Sequence, residues 1–406
     1  MVGYADAAKR ETRRRIQMTS RIPRIIAILC SASCIVFLTG CWDREELSDR
    51  VFDLAASADL QQDGTILTSA QFFIPSRANT TGGASAEKPF FIESGSGHSY
   101  FESIQMMRQK LSRIVTRGHR RNFYIGEDLA KKGVYDMMDA FTRDPGNRIR
   151  MDIWVAKGNR GSEVLEVPYP LEKIPSVASV KIHRAVGGST GTSYLSFLLD
   201  SSDEGSCPTL PAVDIVPGAS SQRTIRFYGR ALFNRDYQLV GYLNFIEASY
   251  RLWILNGLKY LDLAERFPDK GGGIVGVHLT QFGSKVTSSI SGANKVKIQI
   301  VLTGGGQIGE NETKLDLSKR EDLQLVQDRF NAKTSKYVED MIKKVQKQYG
   351  TDVLGFSSTL NRQHPHAWEQ IKGQWETIFP NVEVTVSVHL KLKHIGLVGP
   401  ALIREK

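Results

Sequence analysis

Alternation of apolar and polar residues is clearest near the C terminus. From Val382 to Lys393 every second residue is Val or Leu, and the residues between them are polar or charged. Successive side chains of a β-strand point to opposite faces, so this run predicts a half-buried strand. Arg148 to Ala156 alternates in the same way and predicts a second one, with an apolar face made of Ile149, Met151, Ile153 and Val155.

Two pairs of strand-like runs are joined by turn residues. Val51 to Leu60 and Thr65 to Ile74 flank Asp63-Gly64, and glycine readily adopts the left-handed backbone of a tight hairpin turn. Ile225 to Phe233 and Gln238 to Leu243 form the second pair. Each pair predicts a β-hairpin.

Helical periodicity marks two segments of the first half. Ser99 and Glu102 have the spacing of a capping box, in which each side chain bonds an exposed amide at a helix start. Apolar residues then recur at steps of three and four, which predicts a helix. Its buried stripe would be Ile104, Met107, Leu111, Ile114 and Val115. Asp128 to Phe141 predicts further helix, interrupted at Gly133.

The second half predicts helices around a β-rich region. Phe245 to Leu258 is an apolar helix in which Glu247 and Arg251 stand one turn apart, so we expect them to pair on a solvated side. Gly271 to Gly309 contains three β-rich runs.

The longest predicted helix runs from Lys319 to Tyr349, with Ser318 and Glu321 as its capping box. Its buried stripe would be Leu323, Val326, Phe330, Tyr337, Met341 and Val345. At about 1.5 Å per residue such a helix is roughly 45 Å long. We therefore expect it to lie across a sheet.

These elements indicate an α+β fold with mixed or antiparallel sheets and packed helices, because helices and strands interleave without strict βαβ winding. Residues 41–200 predict an N-terminal α+β domain. The polar stretch punctuated by Gly and Pro predicts a linker over residues 201–224, into which residues 212–216 could insert a short strand. Residues 225–406 predict a C-terminal α+β domain, with a candidate subdivision near residues 270–275.

The N terminus has the layout of a bacterial lipoprotein signal. A basic lead precedes an apolar run from Ile25 to Leu38, which ends in Leu38-Thr39-Gly40-Cys41. A leucine three places before a cysteine resembles the lipoprotein box, so we predict a signal peptide over residues 1–40. Cleavage between Gly40 and Cys41 would leave Cys41 with an S-diacylglyceryl group and an N-acyl group. The alternative is a spanning or buried helix, but the run is shorter than the roughly 20 residues that a bilayer requires.

Removal of the signal changes the composition of the chain. The full sequence has a net charge of +10, and the signal contains seven Lys or Arg and two Asp or Glu, so the mature charge falls to +5. This mild basicity suits an anionic membrane surface and does not argue for nucleic acid. Cys30 and Cys34 leave with the signal, and Cys41 is acylated. Only Cys207 then remains, so no internal disulfide can form. Met18 is the predicted true start, because the basic residues before it exceed what a signal needs.

Two glycine-rich motifs are candidate sites. Gly187 to Gly191 matches G-x-S-x-G, which would make Ser189 a hydrolase nucleophile, but the polar residues before it lack the strand of a nucleophile elbow. Gly304 to Gly309 matches G-x-G-x-x-G. A phosphate cradle needs a helix start at the glycines, and here the next helix begins only near Ser318. We expect a turn or bulge instead.

Candidate metal ligands are His364, His366, His389 and His394. No HExxH or Cys/His spacing supports them, so we expect solvated positions and no metal. A basic cluster consists of Arg117, His119, Arg120 and Arg121. It predicts a solvated face or a contact with lipid phosphate. We find no nucleophile, base and orienting group together, and therefore predict no catalytic residue and no cofactor.

Five segments, in consistent order along nearly the whole mature chain, resemble the Ger(x)C family, the lipoprotein C subunits of spore nutrient-germinant receptors. They are Cys41 to Leu47, Ile125 to Gly133, Phe141 to Pro145, Leu232 to Leu243 and Trp368 to Pro380. The chain departs from the family pattern at Ala55 to Ala58, where glycines are expected, and in the extension before Met18.

The resemblance implies a non-enzymatic subunit built from α+β domains. It would be held by Cys41 on the outer face of the cell membrane or the inner spore membrane. Two integral-membrane partners, the A and B subunits, would complete a receptor that triggers germination. A solute-binding lipoprotein of a transporter is the main alternative. Such proteins usually have two similar α/β lobes, and this sequence shows no doubled βαβ pattern.

Overall fold

Nine described strands of the first half form a mixed β-sheet. The computed structural model describes residues 46–77, 88–188, 191–218, 222–291 and 295–394, and those from Val51 on belong to one compact unit. The strands are β1 (Arg50–Leu60), β2 (Ile66–Phe73), β3 (Phe90–Gly97), β4 (Ile114–Thr116), β5 (Asn122–Gly126), β6 (Asp152–Ala156), β7 (Thr209–Pro217), β8 (Arg223–Phe233) and β9 (Leu239–Asn244). Their order is β3-β2-β1-β5-β6-β7-β8-β9, with β4 paired to β1.

The four central strands, β1, β5, β6 and β7, run parallel. Parallel neighbours require long crossover connections, which are usually helical. The helices of this region are α1 (Tyr100–Arg108), α2 (Glu127–Lys132), α3 (Tyr135–Arg143), α4 (Gly161–Glu166), α5 (Ala178–Ala185) and α6 (Tyr194–Ser202). Apolar clusters form on both faces, with Phe123 and Ile153 in one and Tyr124 and Trp154 in the other. The predicted α+β class with mixed sheets is confirmed. The parallel strands with helical crossovers at the centre of the sheet were not predicted from the sequence.

Four described strands of the second half form a separate sheet in the order β10-β11-β12-β13. They are β10 (Leu261–Arg266), β11 (Ile274–Ser291), β12 (Lys295–Asn311) and β13 (Glu383–His394). The helices are α7 (Phe245–Ile254), α8 (Arg320–Lys343), α9 (Phe356–Gln363), α10 (Pro365–Ile371) and α11 (Trp375–Ile378). A π-helical turn, Lys344–Tyr349, extends α8. Short 3₁₀ turns are Leu47–Asp49, Pro75–Arg77, Pro175–Val177, Pro268–Lys270, Lys372–Gln374 and Phe379–Asn381.

Helix α8 packs against the last strand of this sheet. The Asn331 Oδ1 atom accepts the Leu390 amide at 2.8 Å, and the Gln327 Oε1 atom accepts the Leu392 amide at 2.8 Å. The helix therefore covers the β13 edge as well as packing its apolar stripe. Two details predicted for this helix, the Ser318–Glu321 capping box and the burial of Tyr337, were wrong. The N-cap is Lys319 without a side-chain cap, and Tyr337 is 47% exposed because it faces a cleft.

Several local predictions are confirmed. The hairpin β1–β2 turns at Gly64, whose φ of 82° lies in the left-handed region. The β8–β9 hairpin forms as expected, and so does the helix break at Gly133. Val382, which directly precedes β13, and the alternating residues Val388, Leu390 and Leu392 within it are buried.

Two elements of the first half differ from the prediction. The run Arg148 to Ala156 becomes a strand only from Asp152, and Trp154 on its predicted polar face is fully buried. This follows from the position of β6 at the centre of a parallel sheet that is covered on both faces. Helix α1 ends at Arg108, and Ile114, predicted in its buried stripe, lies in the short strand β4 with 52% exposure.

Long-range packing also changes three predictions for the second half. Residues 209–217 of the predicted linker form β7, whose first five residues are buried in the large sheet. The division into domains at residues 201–224 stays a prediction. Arg251, expected on a solvated side, is buried and donates from Nε to the Val353 carbonyl at 2.7 Å. The three expected runs in residues 271–309 are two long paired strands, β11 and β12.

Candidate functional site

A cleft of about 820 Å³ lies between the two sheets. Strand β8 of the large sheet forms one wall and strand β10 of the small sheet forms the other. The first turn of α7 and the middle of α8 close the remaining sides. Its volume falls within the roughly 300 to 1,000 Å³ range of protein ligand sites. This cleft is the candidate functional site.

Both strand walls meet the cleft edge-on. Arg226 to Tyr228 of β8 and Asp262 to Glu265 of β10 line it as consecutive residues, whereas a wall made by one face of a sheet would show only every second residue. Within the described ranges, residues 223–227 pair with β7 alone, and β10 is the terminal strand that pairs with β11 alone.

Six aromatic residues line the cleft. Phe330 and Tyr337 come from α8, and Phe245 and Tyr250 come from α7. Phe245 packs edge-on against Phe227 of β8, with ring centroids 6.2 Å apart. Burial raises the pKa of Tyr250 far above its ordinary value, so the phenol stays neutral. Tyr337 is half exposed and is the aromatic ring most available to a ligand.

A capping box and an ion pair between Glu247 and Lys344 hold the N-terminus of α7 in place. Glu247 and Asn244 form a capping box, in which the Asn244 amide donates to Glu247 Oε2 at 2.8 Å and the Glu247 amide donates to Asn244 Oδ1 at 3.0 Å. The Lys344 ammonium also donates to Glu247, at 2.9 Å. Arg226 is neutralised by Asp214, with Nε 3.0 Å from Oδ1. Both cations that line the cleft are therefore already paired.

The carboxylates of the cleft are less completely paired. Asp262 accepts from the Tyr260 hydroxyl and lies 2.5 Å from His278 Nδ1. Glu265 and Asp340 have neither a hydrogen bond nor an ion pair from their carboxylates to any part of the chain that the structure describes. The unneutralised charge of the cleft is thus negative.

The described side chains that line the cleft do not include the usual nucleophilic pair. The described lining residues include no Ser, Cys or His, and a Ser–His or Cys–His pair is the usual nucleophilic arrangement. Backbone edges, aromatic rings and free carboxylates can hold an extended or cationic ligand. Sequence reasoning missed this site because its residues come from four distant segments and share no motif.

The sequence-predicted sites lie elsewhere. Gly40, Cys41 and Ser189 fall outside the described residues. The motif Gly304 to Gly309 lies within β12, where the pairing with β13 shifts register between Gly306 and Gln307. The predicted bulge is therefore confirmed.

Close packing accounts for the glycines of this motif. A Cβ on Gly304 would lie 2.5 Å from Leu390 and 3.1 Å from Trp253, and one on Gly306 would lie 2.0 Å from the His278 carbonyl. The Trp253 indole donates to the carbonyls of Gly283 and Thr303, at 3.1 and 3.2 Å. The absence of side chains at these glycines lets the indole and the neighbouring strand approach β12.

The histidines and Cys207 also have structural surroundings. His364 Nε2 lies 2.9 Å from the Ser288 carbonyl, and His366 and His389 are exposed. No group of three His, Cys, Asp or Glu that could hold a metal occurs among the described residues. Cys207 is buried in the second-half core, where burial raises its thiol pKa to about 12.

Arg120 corrects the prediction of a solvated basic cluster. Its guanidinium is 1% exposed and pairs with Asp53, with Nε 2.9 Å from Oδ2. It also donates from Nη1 to the Tyr100 hydroxyl at 3.2 Å. Arg117 pairs with Asp144. His119 and Arg121 are exposed, as predicted, so the cluster is divided between the core, one ion pair and the solvated surface.

A third buried arginine, Arg230, was not predicted at all. It donates from Nε to Thr209 Oγ1 at 2.9 Å and from Nη2 to the Gly191 carbonyl, while Nη1 has no partner among the described residues. Burial lowers its pKa to about 9, and the charge of Arg251 acts in the same direction. The local sequence around Arg230 does not signal this burial, because it arises from the packing of β7 against β8.

Among the helices that the structure describes, none is both long and apolar enough to cross a membrane. The anchor predicted at Cys41 lies outside these residues. The finding concerns the described helices alone.

Comparison with known proteins covers both halves of the chain. The family description "Spore germination protein N-terminal domain" matches residues 43–215, and "Spore germination B3/ GerAC like, C-terminal" matches residues 228–396. Among curated relatives from Bacillus subtilis (strain 168), spore germination protein KC is 23% identical over 92% of this chain and 96% of its own length. Spore germination protein B3 is 22% identical over 90% of this chain and 96% of its own length.

A solved structure shows the same fold. The crystal structure of the GerBC protein superposes with a TM-score of 0.54 at 19% identity, and it covers 86% of this chain and 99% of that one. At this identity the likeness concerns the fold alone. It agrees with the mixed α+β architecture described above.

Proposed function

Because this chain belongs to the GerAC-like family of spore germination proteins, we propose that it is a lipid-anchored subunit of a spore germinant receptor. It is required for nutrient-triggered germination and acts by assembling with two integral-membrane subunits, A and B. The observation that carries the proposal is the ordered match of both family descriptions to residues 43–215 and 228–396.

The proposed anchor is Cys41, placed on the outer face of the cell membrane or the inner spore membrane. Two features support it: the lipoprotein box Leu38-Thr39-Gly40-Cys41, and the start of the family match at residue 43, two residues after that cysteine. Each buried CH₂ of an acyl chain contributes about 0.8 kcal/mol, and stable attachment needs more than one chain. S-Diacylglyceryl and N-acyl groups on Cys41 would provide them.

The subunit acts by binding rather than by catalysis in this proposal. The cleft between β8 and β10 supports that view, because its described lining residues include none of the Ser, Cys or His side chains that form the usual nucleophilic pairs. Ser189 remains the one hydrolase candidate from the sequence. Ser189→Ala should germinate at the normal rate, and a loss of germination with intact protein levels would revive the hydrolase hypothesis.

The central experiment replaces Cys41 in spores that depend on this receptor. Cys41→Ala should remove lipidation, move the protein from the membrane fraction to the soluble fraction and slow nutrient-triggered germination. Cys34→Ala is the matched control, because it changes a cysteine of the same segment that is lost with the signal. Normal germination by an unlipidated Cys41→Ala protein would refute the anchored-subunit proposal.

A solute-binding lipoprotein of a transporter is the second candidate, favoured by the volume of the cleft. Calorimetric titration of the purified full chain with amino acids and sugars separates the two functions. Micromolar binding by this chain alone would favour the transporter function. Binding that requires the membrane subunits would favour the receptor.

A further inference from the structure

We propose that the cleft between β8 and β10 binds an extended, basic segment of a partner protein, which adds to the small sheet as a strand next to β10. The inference rests on the proposed receptor assembly and specifies the surface and the peptide chemistry that it uses. Its basis is a free strand edge, an aromatic floor and unpaired negative charge in one cleft.

The edge of β10 that faces the cleft has no described strand paired with it. Apart from the ladder with β11, the backbone of residues 261–266 makes no hydrogen bond within the described residues. Every second N–H and C=O along such an edge points outward and can pair with a further strand. Strand addition is a common way in which a sheet binds an extended peptide.

The other edge of the same sheet, formed by β13, is hydrogen-bonded by side chains of α8. Along β13, the side chains of Asn331 and Gln327 accept the amides of Leu390 and Leu392 at 2.8 Å each. The fold thus satisfies one edge with helix α8 and leaves the β10 edge facing a cleft. The β10 edge faces a cleft that is bounded on its other side by β8. A single strand could be added next to β10 in this cleft, whereas β8 would block the addition of a whole sheet.

The floor of the cleft provides side-chain contacts for such a strand. Tyr337 is 47% exposed and Ile246 is 37% exposed at its margin. Side chains of an added strand alternate in direction, so those pointing to α7 and α8 would pack on Ile246 and Tyr337. The opposite side chains would lie next to Asp262 and Ala264, which are exposed on β10.

Charge determines which peptide fits. The cleft is lined by Glu247, Asp262, Glu265 and Asp340, against Arg226 and Lys344. Both cations are occupied by carboxylates, and Glu265 and Asp340 have no partner in the described parts of the chain. An open edge beside free carboxylates repels acidic strands and selects a segment that carries Lys or Arg among apolar residues.

The test uses full-length, lipidated protein purified from spore membranes in mild detergent, together with whatever membrane subunits remain bound. Asp340→Lys is the cleft variant. Asp328→Lys is the matched control, since it makes the same charge change at an exposed position of the same helix outside the cleft. We expect Asp340→Lys to lower the yield of bound partner about tenfold, as an attractive contact becomes repulsive, and Asp328→Lys to leave it unchanged.

Photo-crosslinking identifies the bound segment. Benzoylphenylalanine replaces Tyr337 in the cleft or, as control, Leu325, which is exposed on α8 outside it. The expected product joins Tyr337 alone to a peptide with Lys or Arg among apolar residues. Hydrogen exchange should also show slower exchange of amides in residues 261–266 when the partner is bound.

The outcomes distinguish the two proposals. If wild-type protein retains its membrane partners but Asp340→Lys retains them equally, and the β10 amides exchange at the same rate with and without them, the inference is overturned and the receptor role stands. If wild-type protein retains no membrane partner, both are overturned. A crosslink from Tyr337 to an acidic segment, to lipid or to a second copy of this chain also overturns the inference.

Discussion

The buried pair Arg120–Asp53 provides the sharpest test of the fold. Both side chains are inaccessible, with relative exposures of 1% and 0%, and Asp53 Oδ1 has no partner among the described residues. Arg120→Met fills similar volume but leaves the Asp53 carboxylate without its countercharge. Removing one partner of a buried ion pair destabilises a protein by about 3 to 5 kcal/mol. We expect a loss of that size at pH 7.5.

The pH dependence of this loss has a definite sign. Burial already raises the pKa of Asp53 above its ordinary value, although Arg120 opposes the shift, and removing Arg120 raises it further. An acid whose pKa is higher in the folded state destabilises that state as pH rises from the unfolded towards the folded pKa. The Arg120→Met defect should therefore shrink as pH falls towards 4, where Asp53 gains a proton.

Urea unfolding followed by tryptophan fluorescence measures both effects. Arg121→Met is the matched control, because Arg121 is exposed and adjacent; its change should stay within about 0.5 kcal/mol. The double variant Asp53→Leu with Arg120→Met should recover most of the loss, since well-packed apolar pairs often replace buried ion pairs at little cost. A loss below about 1 kcal/mol at pH 7.5, or one independent of pH, would refute the assignment of a buried pair.

Three further predictions concern other parts of the fold. The Cys207 thiol, with a pKa raised to about 12 by burial, should react with iodoacetamide at pH 8 only after unfolding; fast labelling of native protein would contradict its burial. Gly306→Ala should lower the melting temperature, because its Cβ would lie 2.0 Å from the His278 carbonyl, whereas Gly373→Ala has open space and should not. Glu247→Ala removes a capping box and an ion pair and should cost about 1 to 2 kcal/mol in urea unfolding; an unchanged midpoint would contradict this.

Local sequence patterns correctly predicted the elements that depend on interactions among residues close together in the chain. The hairpin at Gly64 and the helix break at Gly133 follow from backbone preferences that act over a few residues. Strand β13 was predicted from its alternation, because one face of it is buried and the other is solvated. The capping role of Ser99 was also local, and its Oγ accepts the Glu102 amide at 3.1 Å.

Predictions failed where burial depends on distant partners. Trp154 and Arg120 lie in sequence surroundings that indicate solvent, yet both are buried because strands far apart in the chain meet around them. The cleft depends on the same kind of contact. Its walls, β8 and β10, belong to different sheets, and periodicity along one segment carries no information about where a second sheet ends.

The sequence by itself therefore determined many of the periodic elements and the family resemblance, and it predicted a lipoprotein box at Cys41, since each is written in contiguous residues. Only the tertiary structure decided the parallel strand order, the buried arginines and the open edge of β10. The physical reason is that hydrogen-bond partners between strands, and the desolvation of a charge, are set by segments that chain folding brings together from far apart.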